Sequence, residues 1–468
     1  MHEDLCYADA TDLALWIEAG EVSPVDVMRA HLARIDAINP QLNAIVTIVD
    51  GCLDEARKAE AAVMRGESRG PLHGVPFTIK EVFDTKNVRT TRGSRLFSSR
   101  VGKADATVVR RIREAGGILL GKTNCPEFAL SAETTNTLFG RTVNPWDASR
   151  TSGGSSGGEA AAIAAGMSPL GVGSDLGGSN RLPSHYCGIV GFKATHGRVP
   201  LTGHWPQLME RYMHVGPLAR SVRDVARVMA VISGADGVDP YAVPVPIPEF
   251  SHLGQALPPL RVGWFSEGPF KPVASQVQEI VRKAAFQFEQ LGCVVKPVTL
   301  TGWEKSLPID VCYTMLVAEG TQYLEPYVEG KSEDISASIA GLMELPKPTL
   351  REYLDACADC QQYGRDLVEL FARIDVLLCP TAPLVAHGHD ACELVIDGQK
   401  AQPSHAASAT VPFGLTGHPA ISVPFGRSED SMPIGVQLVA QRFNEATLLH
   451  AASALEATWR PQRLHPSL

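Results

Sequence analysis

Residues 153–203 hold 13 of the chain's 42 glycines, and no other feature restricts the fold as much. The other 29 are spread over 417 positions, about the 7% usual for globular chains. The excess falls into two clusters, TSGGSSGG (151–158) and GVGSDLGGS (171–179), and a helix-like stretch of small residues, 159–165, runs between them. Glycines just before a helix start let successive backbone N–H groups converge on one point, which suits an anion or a developing oxyanion. Either cluster alone reads as an ordinary glycine-serine surface loop. Two of them flanking one small-residue helix read as a site.

Elsewhere the chain alternates between short apolar runs and amphipathic helical stretches. Ser23 and Pro24 predict an N-cap and first-turn pair for a helix over VDVMRAHLARIDAI, 43–49 alternates as a strand, and 52–65 is amphipathic. Residues 75–79, 118–120, 168–173, 260–265, 374–379, 421–424 and 434–439 read as strands, with helices at 105–115, 179–187, 275–291 and 443–457. The pattern predicts an α/β fold: a single large domain over 1–468, its central mixed β-sheet covered by helices on both faces. The proline-rich stretch 235–259 is read as a long surface connection inside that domain.

Lysine and arginine total 42 against 51 acidic residues, a net charge of −9, and no basic stripe with interleaved aromatics occurs. Both facts argue against nucleic-acid binding. There is no 18-residue apolar run, and acids stand where a signal peptide would carry positive charge, so a cytoplasmic chain without a membrane span is expected. Ten scattered cysteines predict reduced thiols. Cys357 and Cys360 have CxxC spacing but lie in a helical pattern with no second pair, so no metal site is predicted.

Two motif matches fail on context. Gly116-x4-Gly121-Lys122-Thr123 fits the phosphate-loop pattern, yet its apolar interior reads as a strand. GGSSG (153–157) fits the nucleophile elbow around Ser155, yet the preceding NPWDASRTS is polar and turn-forming where the elbow needs a strand. Ser179, at the opening of the next helix-like segment, is the better candidate for an attacking hydroxyl. Its base would be a histidine or a lysine. His185, His196, His204 and His214 lie downstream, and His387-Gly-His389-Asp390 resembles half of a metal site without a third ligand. Lys80 ends the apolar stretch 74–80, so a strand could carry its amine inside, where desolvation would leave a neutral base; the alternative is an amine that reaches solvent.

With these residues in place the chain resembles the amidase signature family. The likeness rests on VPFTIKEVFD around Lys80, the run GKTNCPEFALSAETTNTLFGRTVNPWDASRTSGGSSGGEAAAIAAG, the segment GVGSDLGGSNRLPSHYCGIVGFKATHGRVP with GPLARSVRD, and the late VPFGLTGHPAISVPFG and MPIGVQLVAQRF. It runs from about residue 8 to 458 and is densest over 71–225. The resemblance implies a Ser-Ser-Lys triad: Ser179 as nucleophile, Ser155 as bridging serine after a cis Gly154–Ser155 peptide, and Lys80 as general base. It further implies an oxyanion hole from the N–H groups of Leu176, Gly177, Gly178 and Ser179, supported by Gly154, Ser156, Asp175 and Arg181, with no metal or organic cofactor.

Asn180 stands where the family usually has an aliphatic residue, and Ser184-His185-Tyr186 replaces a smaller, less polar run, so acyl preference is expected to differ. Ala129, Leu130 and Ser131 align near the family's acyl pocket, and Asn180, Trp205, Met209, Tyr212 and Met213 are further pocket candidates. The expected activity is hydrolysis of small-molecule amides, with anilides, carbamates (urethanes) and esters accessible to the same acyl-enzyme chemistry. The expected partner is that small substrate alone, with no nucleic acid or membrane and a homodimer allowed. Alternatives are the glutaminase subunit of a tRNA-dependent amidotransferase and a non-catalytic binding protein on the same fold.

Overall fold

Ser23 does cap a helix: its hydroxyl accepts from the Val25 N–H at 2.9 Å, Pro24 opens the first turn, and the helix Pro24–Leu42 closes on left-handed Asn43. In this computed structural model, which describes residues 2–459 and 465–468, the apolar runs become strands of one sheet. In chain order these are β1 (Ile45–Ile48), β2 (Pro76–Lys80), β3 (Ile118–Thr123), β4 (Leu170–Asp175), β5 (Val190–Lys193) and β6 (His214–Ala219). They continue with β7 (Arg261–Trp264), β8 (Val294–Pro297), β9 (Val376–Pro380), β10 (Ala420–Arg427) and β11 (Pro433–Ala440). The spatial order is β1-β3-β2-β4-β6-β5-β10-β11-β9-β7-β8, an 11-stranded sheet. It is mixed: β3, β2 and β4 run parallel, the middle is antiparallel, and β9, β7 and β8 run parallel again.

Strands on both sides of 235–259 belong to this sheet, and 235–259 itself holds no helix or strand. Helices flank the sheet, and the one that matters most is Gly157–Ala164. All eight of its residues are buried. One side packs Ala161 and Ala162 against Ile45, Leu120 and Met28, and another packs Ala160 and Ile163 against Cys187, Ile189 and Leu218. Only small side chains let one helix be covered so closely from two directions. Gly158 shows the constraint: a Cβ there would strike the Asn124 backbone.

Gly121-Lys122-Thr123 lies in β3, as its apolar flank predicts, and Lys122 is buried with its amine on Thr85 and Thr90 hydroxyls and the Phe83 carbonyl. Three strands of the large sheet escape the pattern reading. β5 is four residues long, β8 lies at the edge with Val294 exposed, and β6 (HVGPLA) carries a glycine and a proline that argue against a central strand.

A buried ion pair locks the turn after β5 to the C-terminal helix Glu445–Trp459. Arg198 Nη2 meets Glu445 Oε2 at 3.0 Å with both side chains almost wholly enclosed, and Glu445 Oε1 accepts from the Thr195 N–H at 3.1 Å. Removing one partner strands the other charge in the interior. Glu445→Ala is expected to lower the unfolding free energy by about 3–5 kcal/mol, read as a drop in the urea midpoint; an unchanged midpoint would show the pair to be dispensable.

Candidate active site

β2 and β4 are parallel neighbours, pairing Thr78 with Gly171 and Ile79 with Val172, so their C-terminal ends emerge on the same edge of the sheet. β2 ends on Lys80, and β4 ends on Ser174 and Asp175. The first glycine cluster folds over that edge. Lys80 Nζ donates to Ser155 Oγ at 2.7 Å and to Ser174 Oγ at 3.1 Å. Burial of the Lys80 amine, which is complete, pulls its pKa down from 10.5 to about 8, against the opposing pull of Cys125, Asp175 and Glu159.

Glu159 is equally enclosed, and burial raises its carboxyl to about 7. It accepts from the hydroxyls of Thr78, two residues before Lys80, and of Thr123, the cross-strand partner of Lys80. A Cβ on Gly171 would occupy its place. A carboxylate on the small-residue helix therefore ties together the strands that carry the lysine.

Ser155 follows a cis peptide from Gly154. Gly154 has no room for a side chain: a Cβ would lie 2.6 Å from the Ser131 carbonyl oxygen and 2.8 Å from the Glu133 nitrogen. The Ser156 N–H donates to the Ser179 carbonyl at 3.1 Å, and Ser156 Oγ meets Asn180 Oδ1 at 3.0 Å, so the two glycine clusters are stitched side by side.

The second cluster is organised by a buried ion pair. Arg181 grips Asp175 through two hydrogen bonds, Nε to Oδ2 at 2.9 Å and Nη2 to Oδ1 at 2.8 Å, and its other branch donates to the Thr410 carbonyl and Gln437 Oε1, both at 2.8 Å. Burial by itself would raise the Asp175 carboxyl, but the guanidinium holds it below its ordinary value. Gly178 adopts φ +127°, which side-chain-bearing residues rarely take, and a Cβ there would strike Thr410.

The predicted oxyanion donors divide. The Gly178 N–H is already spent on Asp175 Oδ1 at 2.7 Å. The N–H groups of Leu176, Gly177 and Ser179 have no acceptor among the described residues. Gly178 thus serves the loop by shape, and three of the four expected donors are left unengaged among the described residues.

A cavity of about 620 Å³ opens over this edge, and Ser155, Ser174, Leu176, Gly177, Gly178 and Ser179 all line it. Ala129, Leu130 and Ser131 line it too, as does Met213. The remaining pocket candidates lie elsewhere. Trp205 packs edge-on against Phe128 and Phe97 beneath the Arg92 guanidinium, in a separate aromatic cluster. Met209 and Tyr212 pack against the main core. Asn180 is buried, donating to the Phe192 and Gly216 carbonyls at 3.0 and 3.1 Å, and has become part of the sheet's interior. His185 is also interior, bonded to Gly435 and Leu384. Sequence reasoning missed Glu133, Arg141, His387 and Asp390 on the cavity wall. The HGHD run was noticed but weighed only as metal ligands; no cluster of three or more such ligands forms among the described residues.

A family model described as Amidase matches residues 26–449. The A subunit of the glutamyl-tRNA(Gln) amidotransferase of Moorella thermoacetica is 35% identical, with 99% of each chain covered. Relatives from several further bacteria carry that name at 33–35% identity. Among solved structures, a vestigial protein complex bearing on the origins of an s-triazine catabolic enzyme superposes with a TM-score of 0.90 at 31% identity, covering 96% of this chain and 98% of its own. The corresponding amidotransferase protein of Thermotoga maritima follows with a TM-score of 0.78 at 28% identity, covering 97% and 95%.

These relatives correct two expectations. A purely small-molecule amidase or carbamate hydrolase was expected, with only a small substrate as partner and no nucleic acid, whereas the full-length relatives are subunits of an enzyme named for a tRNA. Pattern and charge describe the chain's own loops and surface; neither records what partners a relative assembles with. No helix among the described residues is long and apolar enough to cross a membrane. Matched from residue 26 to 449 by the family model and along nearly its whole length by relatives, the chain belongs to the amidase (amidase signature) family, whose members carry amidase-type activity.

Proposed function

We propose that this chain is the glutaminase subunit of a tRNA-dependent amidotransferase, releasing ammonia from the side-chain amide of glutamine for use elsewhere in the assembly. The observation that carries this reading is the end-to-end likeness to an amidotransferase component, in which 99% of each chain is matched. The net charge of −9 leaves this chain poorly suited to grip a tRNA backbone, so the tRNA contact falls to companion subunits in the cytoplasm.

In the mechanism we propose, neutral Lys80 takes a proton through Ser155 while the Ser179 hydroxyl oxygen attacks the amide carbon. The carbonyl electrons move to oxygen, where the Leu176, Gly177 and Ser179 N–H groups receive the charge. Collapse of the tetrahedral species breaks the C–N bond as the proton returns along the relay to nitrogen, and ammonia leaves. Water then attacks the acyl-Ser179 ester, losing its proton to the same relay, and frees the acid and the serine.

Purified chain, alone and with the companion subunits and glutamyl-tRNA(Gln), is expected to release ammonia from glutamine, faster in the assembly. Turnover of anilides or carbamates with none of glutamine in either state would overturn the reading. Ser179→Ala is expected to lower kcat by about 10³-fold or more and to abolish fluorophosphonate labelling; labelling of Ser155 instead would move the nucleophile.

The lysine's protonation also sets a pH profile. Because the amine must be neutral, kcat/KM should rise about tenfold per pH unit up to an apparent pKa near 8 and level off above it. Glu159→Gln removes a negative charge that favours the ammonium form, so the limb should shift to lower pH in that variant. A limb that stays put would show that Glu159 does not act on Lys80.

A further inference from the structure

The cavity above Ser155 and Ser179 has a mixed lining. Leu208, Met213, Ile309, Leu316 and Val411 are apolar. Glu133, Arg141, His387 and Asp390 are polar or charged. Arg141 and Asp390 pair with each other. Glu133 is left with little. Its Oε1 stands 3.8 Å from Nδ1 of His387, beyond hydrogen-bond range, and its Oε2 receives only a long 3.4 Å contact from the Asp390 N–H. Among the described residues that histidine is its sole ion-pair neighbour.

The cavity's third carboxylate, Glu127, is already engaged by the Ser94 hydroxyl at 2.5 Å and the Ser336 N–H at 2.6 Å. Glu133 is therefore a carboxylate withdrawn from water, its side chain only 18% exposed, without a lysine or arginine to balance it. Its place is also particular. The Glu133 backbone nitrogen lies against the Gly154–Ser155 peptide, 2.8 Å from where a Gly154 Cβ would stand, so its side chain springs from beside the candidate reacting edge and extends toward His387 and Asp390.

We propose that Glu133 determines specificity by receiving a cationic, ammonium-type group of the substrate. Resting on the glutamine reading above, that group is the α-ammonium of glutamine, a few bonds from the amide that meets Ser179. The contact is a charge-assisted hydrogen bond present in ground and transition states alike, so its loss should appear in KM and leave kcat nearly untouched.

The test measures kcat and KM of wild type, Glu133→Gln and Glu133→Asp on glutamine, on 5-aminopentanamide, which lacks the α-carboxylate and carries its ammonium one methylene farther from the amide, and on neutral pentanamide. Glu133→Gln is expected to raise KM for the two cationic amides about 10- to 100-fold with pentanamide unchanged, and Glu133→Asp to recover part of the loss. Equal effects on all three amides, or none, would overturn the subsite. If wild type cleaves 5-aminopentanamide in a Glu133-dependent way but ignores glutamine, the subsite stands and the glutamine reading falls. Glutamine cleaved equally well by Glu133→Gln gives the reverse. Should the isolated chain turn over none of them, protection of Ser179 from fluorophosphonate supplies the same comparison. Stronger protection by 5-aminopentanamide than by pentanamide, lost in Glu133→Gln, supports the subsite, and equal protection overturns it.

Discussion

An amine enclosed away from water is the constraint on which the rest of this site depends. An ordinary lysine, with a pKa of 10.5, would be neutral in about one molecule in a thousand at pH 7.5. Burial brings Lys80 to about 8, so that roughly a quarter of molecules hold a free base at that pH. The surroundings keep the shift from going further. Asp175 and Glu159 lie close enough to favour the charged form, and Ser155 and Ser174 supply oxygen atoms that accept from the amine. Full desolvation would leave an amine that is always neutral but too weakly basic to take up a proton and pass it on; the nearby acidic groups help keep the pKa near working pH.

That balance requires the strand carrying the lysine to stay where it is, and several otherwise odd residues serve this end. Glu159 reaches from the small-residue helix to Thr78 and Thr123, gripping β2 and β3 on either side of the lysine's register. The helix can stand so near only because it is built almost wholly of glycine and alanine. The Asp175–Arg181 pair does the corresponding task for the second loop. A buried ion pair contributes little net stability compared with apolar packing. Here every polar atom is used, with Arg181 bridging to β11 through Gln437 and to Thr410, so the pair's yield is a fixed loop shape, and that shape leaves donors free beside Ser179.

The periodic parts of this architecture are legible in the chain. β2, β3, β4, β9, β10 and β11 lie where short apolar runs stand, and the helix after Ser23 begins at its cap. β6 was hidden by Gly216 and Pro217, whose presence in a central strand depends on partners from distant segments. At the site, Lys80 could be singled out because a charge at the end of an apolar stretch is locally anomalous, and the serines because of their glycines. Trp205 and Tyr212 misled for a related reason. An aromatic near a site in sequence says nothing of which side of the chain it faces, and Trp205 turns toward Phe128 and Phe97. Glu133 carries no local signal and the run at His387 suggests only metal ligands, since their place arises only when residues more than 250 positions apart close on one cavity.

The division between hydrolytic edge and cavity wall also explains why the motifs could point to amide chemistry and still mislead about its setting. The edge is built from β2, β4 and two glycine loops, and in the proposed mechanism it would attack any acyl carbon placed against Ser179. The lining comes from 126–141, 206–213, 309–316, 336–338 and 387–411, mostly loops together with the helix Pro308–Val328, and its shape would decide what is placed there. A largely apolar lining with a carboxylate that no lysine or arginine balances favours a substrate that is aliphatic along its length and positive at one point. On the proposed reading, this chain liberates a small neutral product while companion subunits hold the tRNA acceptor.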